Sequence, residues 1–122
     1  EMQAKVQERL GQWQQALRLY SEMPRPPHEF QRAVTLMDIG RCQRHLDQLK
    51  EAEASLKQGL TLWPSHPEMH YELALVYQQA GNLPEARQHV QASLQVWSNA
   101  DPEYQAARKA RELAVQLASS QK

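Results

Sequence analysis

The sequence is short of what a strand, a disulfide or a membrane span would need. It holds one isoleucine, six valines and two threonines in 122 residues. That is too few β-branched residues for strands, and no clear run alternates apolar with polar in strand fashion. A single cysteine, Cys42, cannot close an internal disulfide, so no oxidising compartment is implied. No apolar run approaches the roughly 18 residues that cross a bilayer. Neither sign of charge is in excess, with 14 Lys+Arg against 14 Asp+Glu. The balance removes the usual reason to expect a nucleic-acid or anionic-membrane partner. The first residue is Glu1 and no signal-type stretch is visible, so a fragment or processed form is expected. The expected location is the cytoplasm, with the periplasm as the alternative.

What is present favours helix. There are 15 Leu, 15 Ala and 17 Gln, residues that lose little on entering a helix. The length suits one small domain with a thin core. Proline, which breaks helix interiors, falls at 24, 26, 27, 64, 67, 84 and 102. Gly11 and Gly81 stand where a helix must stop and reverse, and Asp47 takes the comparable bend between them. Ser65-His66-Pro67-Glu68 reads as a capping box with Ser65 as the N-cap. Asn82-Leu83-Pro84-Glu85 reads similarly, and Asp101-Pro102 as a cap with a first-turn proline. Helices are therefore expected over about 1–10, 12–23, 28–46, 48–62, 67–80, 83–97 and 102–119. Pro24-Arg25-Pro26-Pro27 is the one link with a stiff, extended character.

A shift of 34 residues aligns two stretches. Ile39 falls on Leu73, Gly40 on Ala74, Ala52 on Ala86, Leu56 on Val90 and Trp63 on Trp97. Two antiparallel helices approach closely only where small residues face each other, and Gly40 with Ala52, and Ala74 with Ala86, supply those contacts. His70-x2-Leu73-Ala74-x2-Tyr77 followed by Ala86-x3-Val90 resembles the tetratricopeptide repeat family. So does Leu36-x2-Ile39-Gly40-x2-Gln43 followed by Ala52-x3-Leu56 and Pro64. Gln43, Asp47 and His70 depart from the family's Tyr, turn Gly and Trp. Upstream, Gly11-x4-Ala16-x3-Tyr20 matches half of a further copy. Ala16 to Ala52 is 36 residues, an insertion of two at the proline-rich link.

The resemblance implies an all-α fold, a right-handed superhelical array of antiparallel helix hairpins forming an α-solenoid. It is divided here into an irregular partial repeat over about 1–24, the link 24–27, repeats 28–64 and 65–98, and a capping helix over 101–119. Arg108 and Arg111 fall where a further hairpin would need Ala and Tyr, so the last helix is expected to solvate the end of the array. Ala106, Ala110, Leu113 and Leu117 would dock it.

Enzymatic chemistry is not expected. His66-Pro67-Glu68-Met69-His70 lacks the spacing of a metalloprotease helix, and is expected to hold a solvated His66 and a packed His70. No metal or cofactor set and no nucleophile–base pair stands out. Cys42 lies between Arg41 and Arg44; an inert, half-buried thiol is expected, a thiolate favoured by the arginines being the alternative.

The resemblance implies a concave groove lined by the first helix of each pair. The register assigns to it Met37, Arg41, Arg44 and His45 from one copy and Glu68, Tyr71, Leu75 and Gln78 from the next. Lys109, Lys5 and Arg9 extend it. Some family members clamp a chaperone's C-terminal carboxylate, but the matching positions here are Glu1, Lys5, Asp38, Glu68 and Glu72, mostly acids that would repel one. The expectation is a protein or peptide partner bound through mixed apolar and Arg contacts. Arg41, Arg44 and Tyr71 should weaken binding when truncated without unfolding the domain. No nucleic acid or membrane is expected, and the chain should be a monomer or weak homo-oligomer. The alternative is a structural spacer or self-association segment using the edge marked by Trp63 and Trp97.

Overall fold

The computed structural model describes residues 2–101 and 103–119. Over these the chain is seven helices with no strand: α1 (Met2–Arg9), α2 (Trp13–Glu22), α3 (Glu29–His45), α4 (Leu49–Leu62), α5 (Pro67–Ala80), α6 (Leu83–Val96) and α7 (Gln105–Ser119). The expected segments are all found: α5 has the ends expected of it, and the other helices differ from expectation by one to three residues at one or both ends.

Three reversals share one geometry. Gly11, Asp47 and Gly81 have φ of +75°, +62° and +83°. In each, the next residue's N–H reaches back across the turn: Gln12 to Gln7 O at 2.8 Å, Gln48 to Gln43 O at 2.8 Å, Asn82 to Tyr77 O at 2.8 Å. These are Schellman closures, which satisfy the last helical carbonyls and turn the chain into the next helix within three residues.

The caps differ in part from expectation. Asn82 caps α6, its Oδ1 accepting from Glu85 N at 3.4 Å. At α5 the cap is His66 and not Ser65, with Nδ1 accepting from Met69 N at 3.3 Å. His66 is accordingly buried, where a solvated side chain was expected. His28 plays the same part at α3, accepting from Phe30 N at 3.2 Å. Asp101 Oδ1 accepts from Glu103 N at 2.9 Å, and its carbonyl closes a turn on Tyr104, so α7 begins at Gln105. The first-turn role read for Pro102 lies outside the described residues.

The chain gathers into two compact units, Glu1–Pro64 and Ser65–Lys122. In the first, α1 pairs with α2, α2 with α3, and α3 with α4. The α3–α4 approach is close because of Gly40: a Cβ there would lie 2.7 Å from Leu56 Cγ and 3.4 Å from Ala52 O. The register placed that contact correctly. In the second unit α5 pairs with α6 and α6 with α7. Its interior is mostly apolar: Met69, Leu73, Ala74, Val76, Ala86, Val90 and Trp97 are buried, with Glu72, Ser93 and His66 buried beside them. On α7 the buried stripe is Ala107, Ala110, Leu113 and Leu117. Ala107 replaces the expected Ala106, a one-residue shift in the docking face.

Candidate functional site

The expected groove residues meet different fates. In the first unit, Met37 is only 6 % exposed and belongs to the interior. Arg41 is not a free cation either. Its Nε donates to Glu8 Oε2 and its Nη2 to Asp38 Oδ1. Lys5 Nζ reaches the same Asp38 oxygen at 3.2 Å, and Tyr20 Oη donates to Glu8 Oε1 at 2.7 Å. Burial raises the Glu8 carboxyl, but hydrogen bonds from Arg41 and Tyr20 outweigh it and hold Glu8 below its ordinary range. Burial pushes Asp38 the other way, above its ordinary value, against the pull of Arg41 and Lys5. The same burial, with Glu8 as acceptor, raises the Tyr20 hydroxyl. This is an internal ionic lattice tying α1 and α2 to α3. Arg41 and Asp38 are therefore taken up inside the unit, while Lys5, with 46% of its side chain exposed, still reaches the surface.

Arg44 and His45 end α3. Arg44 Nη2 lies 3.1 Å from His45 Nε2, and the His45 ring stacks flat on Trp13 at 3.7 Å. Burial and the charge of Arg44 hold His45 below its ordinary pKa. The ring faces solvent while covering Trp13. In the second unit, Glu68, Tyr71, Leu75 and Gln78 follow the i, i+3, i+7, i+10 spacing of one α5 stripe, Glu68 exposed and the other three half-buried. Lys109 and Arg9 are exposed, and Glu72 is buried. Glu1 lies outside the described residues.

The two tryptophans share a register but not an environment. Trp97 is buried, with Tyr104 edge-on at 5.9 Å. Trp63 is half-buried and stacks on Phe30 at 4.5 Å, with Phe30 itself 46 % exposed. An edge that offers both to a partner is thus excluded, because Trp97 is enclosed. Phe30 and Trp63 instead border a hollow of about 670 Å³ with the proline-rich link, Val34 and Asp38. Sequence reasoning missed this hollow. Its signal was the stiff Pro24–Pro27 link, which cannot collapse against α3 and so leaves space there.

The remaining chemistry is quiet. Cys42 is buried, and burial with the nearby Glu8 charge pushes its thiol up to about 12. That overturns the reading in which Arg41 and Arg44 create a thiolate. His70 packs in the hairpin as expected, its Nδ1 3.0 Å from His89 Nδ1 and the pair stacked beside Tyr77. Among the described residues no three His, Cys, Asp or Glu side chains are grouped to hold a metal.

A family model for the tetratricopeptide repeat matches residues 44–111, more than half of the chain. The chain belongs to the tetratricopeptide repeat family. The match covers α4, α5 and α6 and reaches into α7, so it joins the two units in sequence. No curated protein sequence matches this tetratricopeptide-repeat chain. Solved structures do resemble it. The type III secretion translocator chaperone SycD of Yersinia enterocolitica has a TM-score of 0.87 at 16% identity, covering 99% of this chain and 90% of its own. PcrH, a protein of Pseudomonas aeruginosa, has a TM-score of 0.84 at 16% identity with the same coverages; it was crystallised with the chaperone-binding region of PopD. SycD with a peptide of the translocator YopD has a TM-score of 0.84 at 16% identity, covering 99% and 91%. At these identities the likeness is one of fold.

Proposed function

We propose that this chain is a non-enzymatic docking module that binds a segment of another protein and works in the cytoplasm. Family membership supports the reading, as does the peptide seen on SycD and the chaperone-binding region seen on PcrH. The observation that carries it is Phe30, a large aromatic left 46 % exposed above an open hollow beside Trp63. Aromatic side chains in this setting are what protein contacts select, because they contribute area with few rotors to freeze. On the second unit the matching feature is the α5 stripe of Tyr71, Leu75 and Gln78 with Glu68 at its end. Among the described residues no helix is long and apolar enough to cross a membrane.

The test is capture of partners from a cell lysate by wild type beside Phe30→Ser and Tyr71→Ala, with folding checked by circular dichroism. Each variant should lose or reduce the proteins that its own unit holds. Unchanged recovery at unchanged yield refutes the surface. A self-associating spacer is the second reading, favoured by Val96 and Val115, which are 50 % and 68 % exposed on α6 and α7. Sedimentation mass that rises with concentration, and falls back for Val115→Ser, would select it.

A further inference from the structure

The proline-rich link walls a second cavity, of about 550 Å³, around α3 from the hollow just described. Met23, Leu36, Ile39 and Leu62 give it an apolar floor. Two guanidinium groups, Arg25 and Arg32, line it, and no Asp or Glu does. Arg32 is fixed in place: its Nη1 donates to the carbonyls of Pro26 at 3.1 Å and Pro27 at 2.9 Å. Its Nε is buried and meets no acceptor. The ion pairs described in this unit lie elsewhere, on Arg41, Lys5 and Lys57.

A guanidinium held through Nη1 has its Nε–Nη2 edge left over, and that edge is the one that pairs side-on with a carboxylate. Because Nε is buried, a carboxylate pairs with that edge only when the groups screening it move aside. The cavity has the size of a small-molecule site, about 300–1,000 Å³. An apolar floor beneath an uncompensated cationic wall selects an aliphatic body that ends in one negative charge. It disfavours cations by repulsion and neutral polar molecules by leaving Arg32 unpaired. We propose that this cavity binds a free medium-chain aliphatic monocarboxylate, with its chain on Leu36, Ile39 and Leu62 and its carboxylate on Arg32. Arg25 guards the mouth. The cavity shares Met23, Pro24, Arg25, Pro26 and Thr35 with the hollow beside Phe30, but Arg32, Leu36, Ile39 and Leu62 line it alone, so its ligand is tested apart from the protein-docking surface.

The probe is decanoate, titrated into the intact chain and followed by calorimetry and by backbone amide shifts. Saturable one-site binding is expected, with shifts centred on Arg32, Leu36, Ile39 and Leu62. Arg32→Gln should weaken binding by about tenfold, the scale of one lost charge-assisted hydrogen bond, and Arg25→Gln, which removes an exposed charge, by about twofold. Decanol, the same chain without the charge, should bind weaker by at least about tenfold. Arg25 is exposed, so Arg25→Gln and the decanol comparison decide the matter even if Arg32→Gln fails to fold. Equal binding of decanoate and decanol overturns the proposal, and so do shifts confined to other residues. Occupation by a Leu-Asp peptide amide in place of decanoate also overturns it, since the carboxylate would then come from a polypeptide.

Discussion

The two units are built on one repeat register and hold themselves together by different chemistry. The first ties its helices through Glu8, Arg41, Asp38, Lys5 and Tyr20. The second has no such lattice described across its helices: Met69, Leu73, Val90, Leu113 and Leu117 fill its interior, with Glu72, Ser93 and the capping His66 buried among them and a histidine pair at one side. A shared small-residue register sets how closely two helices approach. It does not decide what fills the rest of the interface. Loss of one group leaves an apolar filling with a cavity that closes only in part, whereas in an ionic lattice it leaves the remaining charges in a poor solvent.

The largest expected effect breaks that contrast directly. Arg41→Ala removes the guanidinium that Glu8 and Asp38 share, leaving Glu8 with Tyr20 and Asp38 with Lys5, while the two carboxylate side chains are only 13% and 5% exposed. Loss of about 3 kcal/mol is expected, the low end of the cost of breaking a buried ion pair, because each carboxylate keeps one partner. The contrasting change in the second unit is Lys109→Ala, an exposed cation on α7, for which the expected change is within about 0.5 kcal/mol. Urea melts of both variants check this. A near-neutral Arg41→Ala would return that residue to the surface role the sequence suggested.

Next comes the contact the register predicted best. Gly40 and Ala74 are equivalent positions, but only Ala74 has room for its methyl. A Cβ on Gly40 would meet Leu56 Cγ at 2.7 Å. Gly40→Ala should cost about 1–3 kcal/mol through overpacking. Ala74→Gly should cost about 1 kcal/mol, through chain entropy and a lost methyl contact. If Gly40→Ala proves neutral in thermal melts, Leu56 can turn aside and the α3–α4 approach is looser than described.

Reading the sequence worked where packing leaves a periodic trace. The helix order, the three left-handed reversals and the Gly40 contact all follow from small, apolar and turn-forming residues at fixed spacing. Polar burial leaves no such trace. Arg41 and Asp38 looked like solvated positions because nothing in a one-dimensional pattern shows Glu8, 33 residues before Arg41, arriving beside them. Met37 looked like a groove residue for the same reason, since the register says which face of α3 it occupies but not what covers that face. His66 was misread because Ser65 is the commoner cap and stands one residue away. The hollow under Phe30 needed the course of the proline link in space, which its composition only hinted at.

The pH response should sharpen the comparison further. His66 is held below its ordinary pKa of 6.5 by burial, and as a cap it uses the neutral ring as acceptor. The unfolded chain therefore binds a proton that the folded one refuses. The stabilisation is complete above about pH 6.5 and is lost as pH falls from there toward the lower folded value. Glu8 is held below 4.5, so its contribution persists until the solution is more acidic still. Between pH 7 and 5 the α5 N-terminus should open first, seen as faster amide exchange at Met69 than at Arg41. His66→Asn keeps a capping acceptor without a titrating ring and should flatten the change at Met69. An unchanged slope in that variant would move the effect to another group, such as His45.

The smallest expected effect separates the reversals themselves. Gly81 closes the α5–α6 turn at φ +83°, and Asp47 closes the α3–α4 turn at +62°. An added Cβ on Gly81 meets nothing within 4 Å, so Gly81→Ala tests backbone conformation alone. It should cost about 1–2 kcal/mol, the left-handed penalty of an ordinary residue. Asp47→Gly runs the other way through two opposed terms. Glycine relieves that penalty, which aspartate feels less than most residues, and at the same time gives the unfolded chain more freedom to lose, worth about 0.4–1 kcal/mol. The terms nearly cancel, and the net change should stay within about 0.5 kcal/mol of zero. A gain clearly above that in denaturant melts would mean that Asp47 is strained where it stands, and that the first unit holds its hairpin closed against a local cost the second unit avoids.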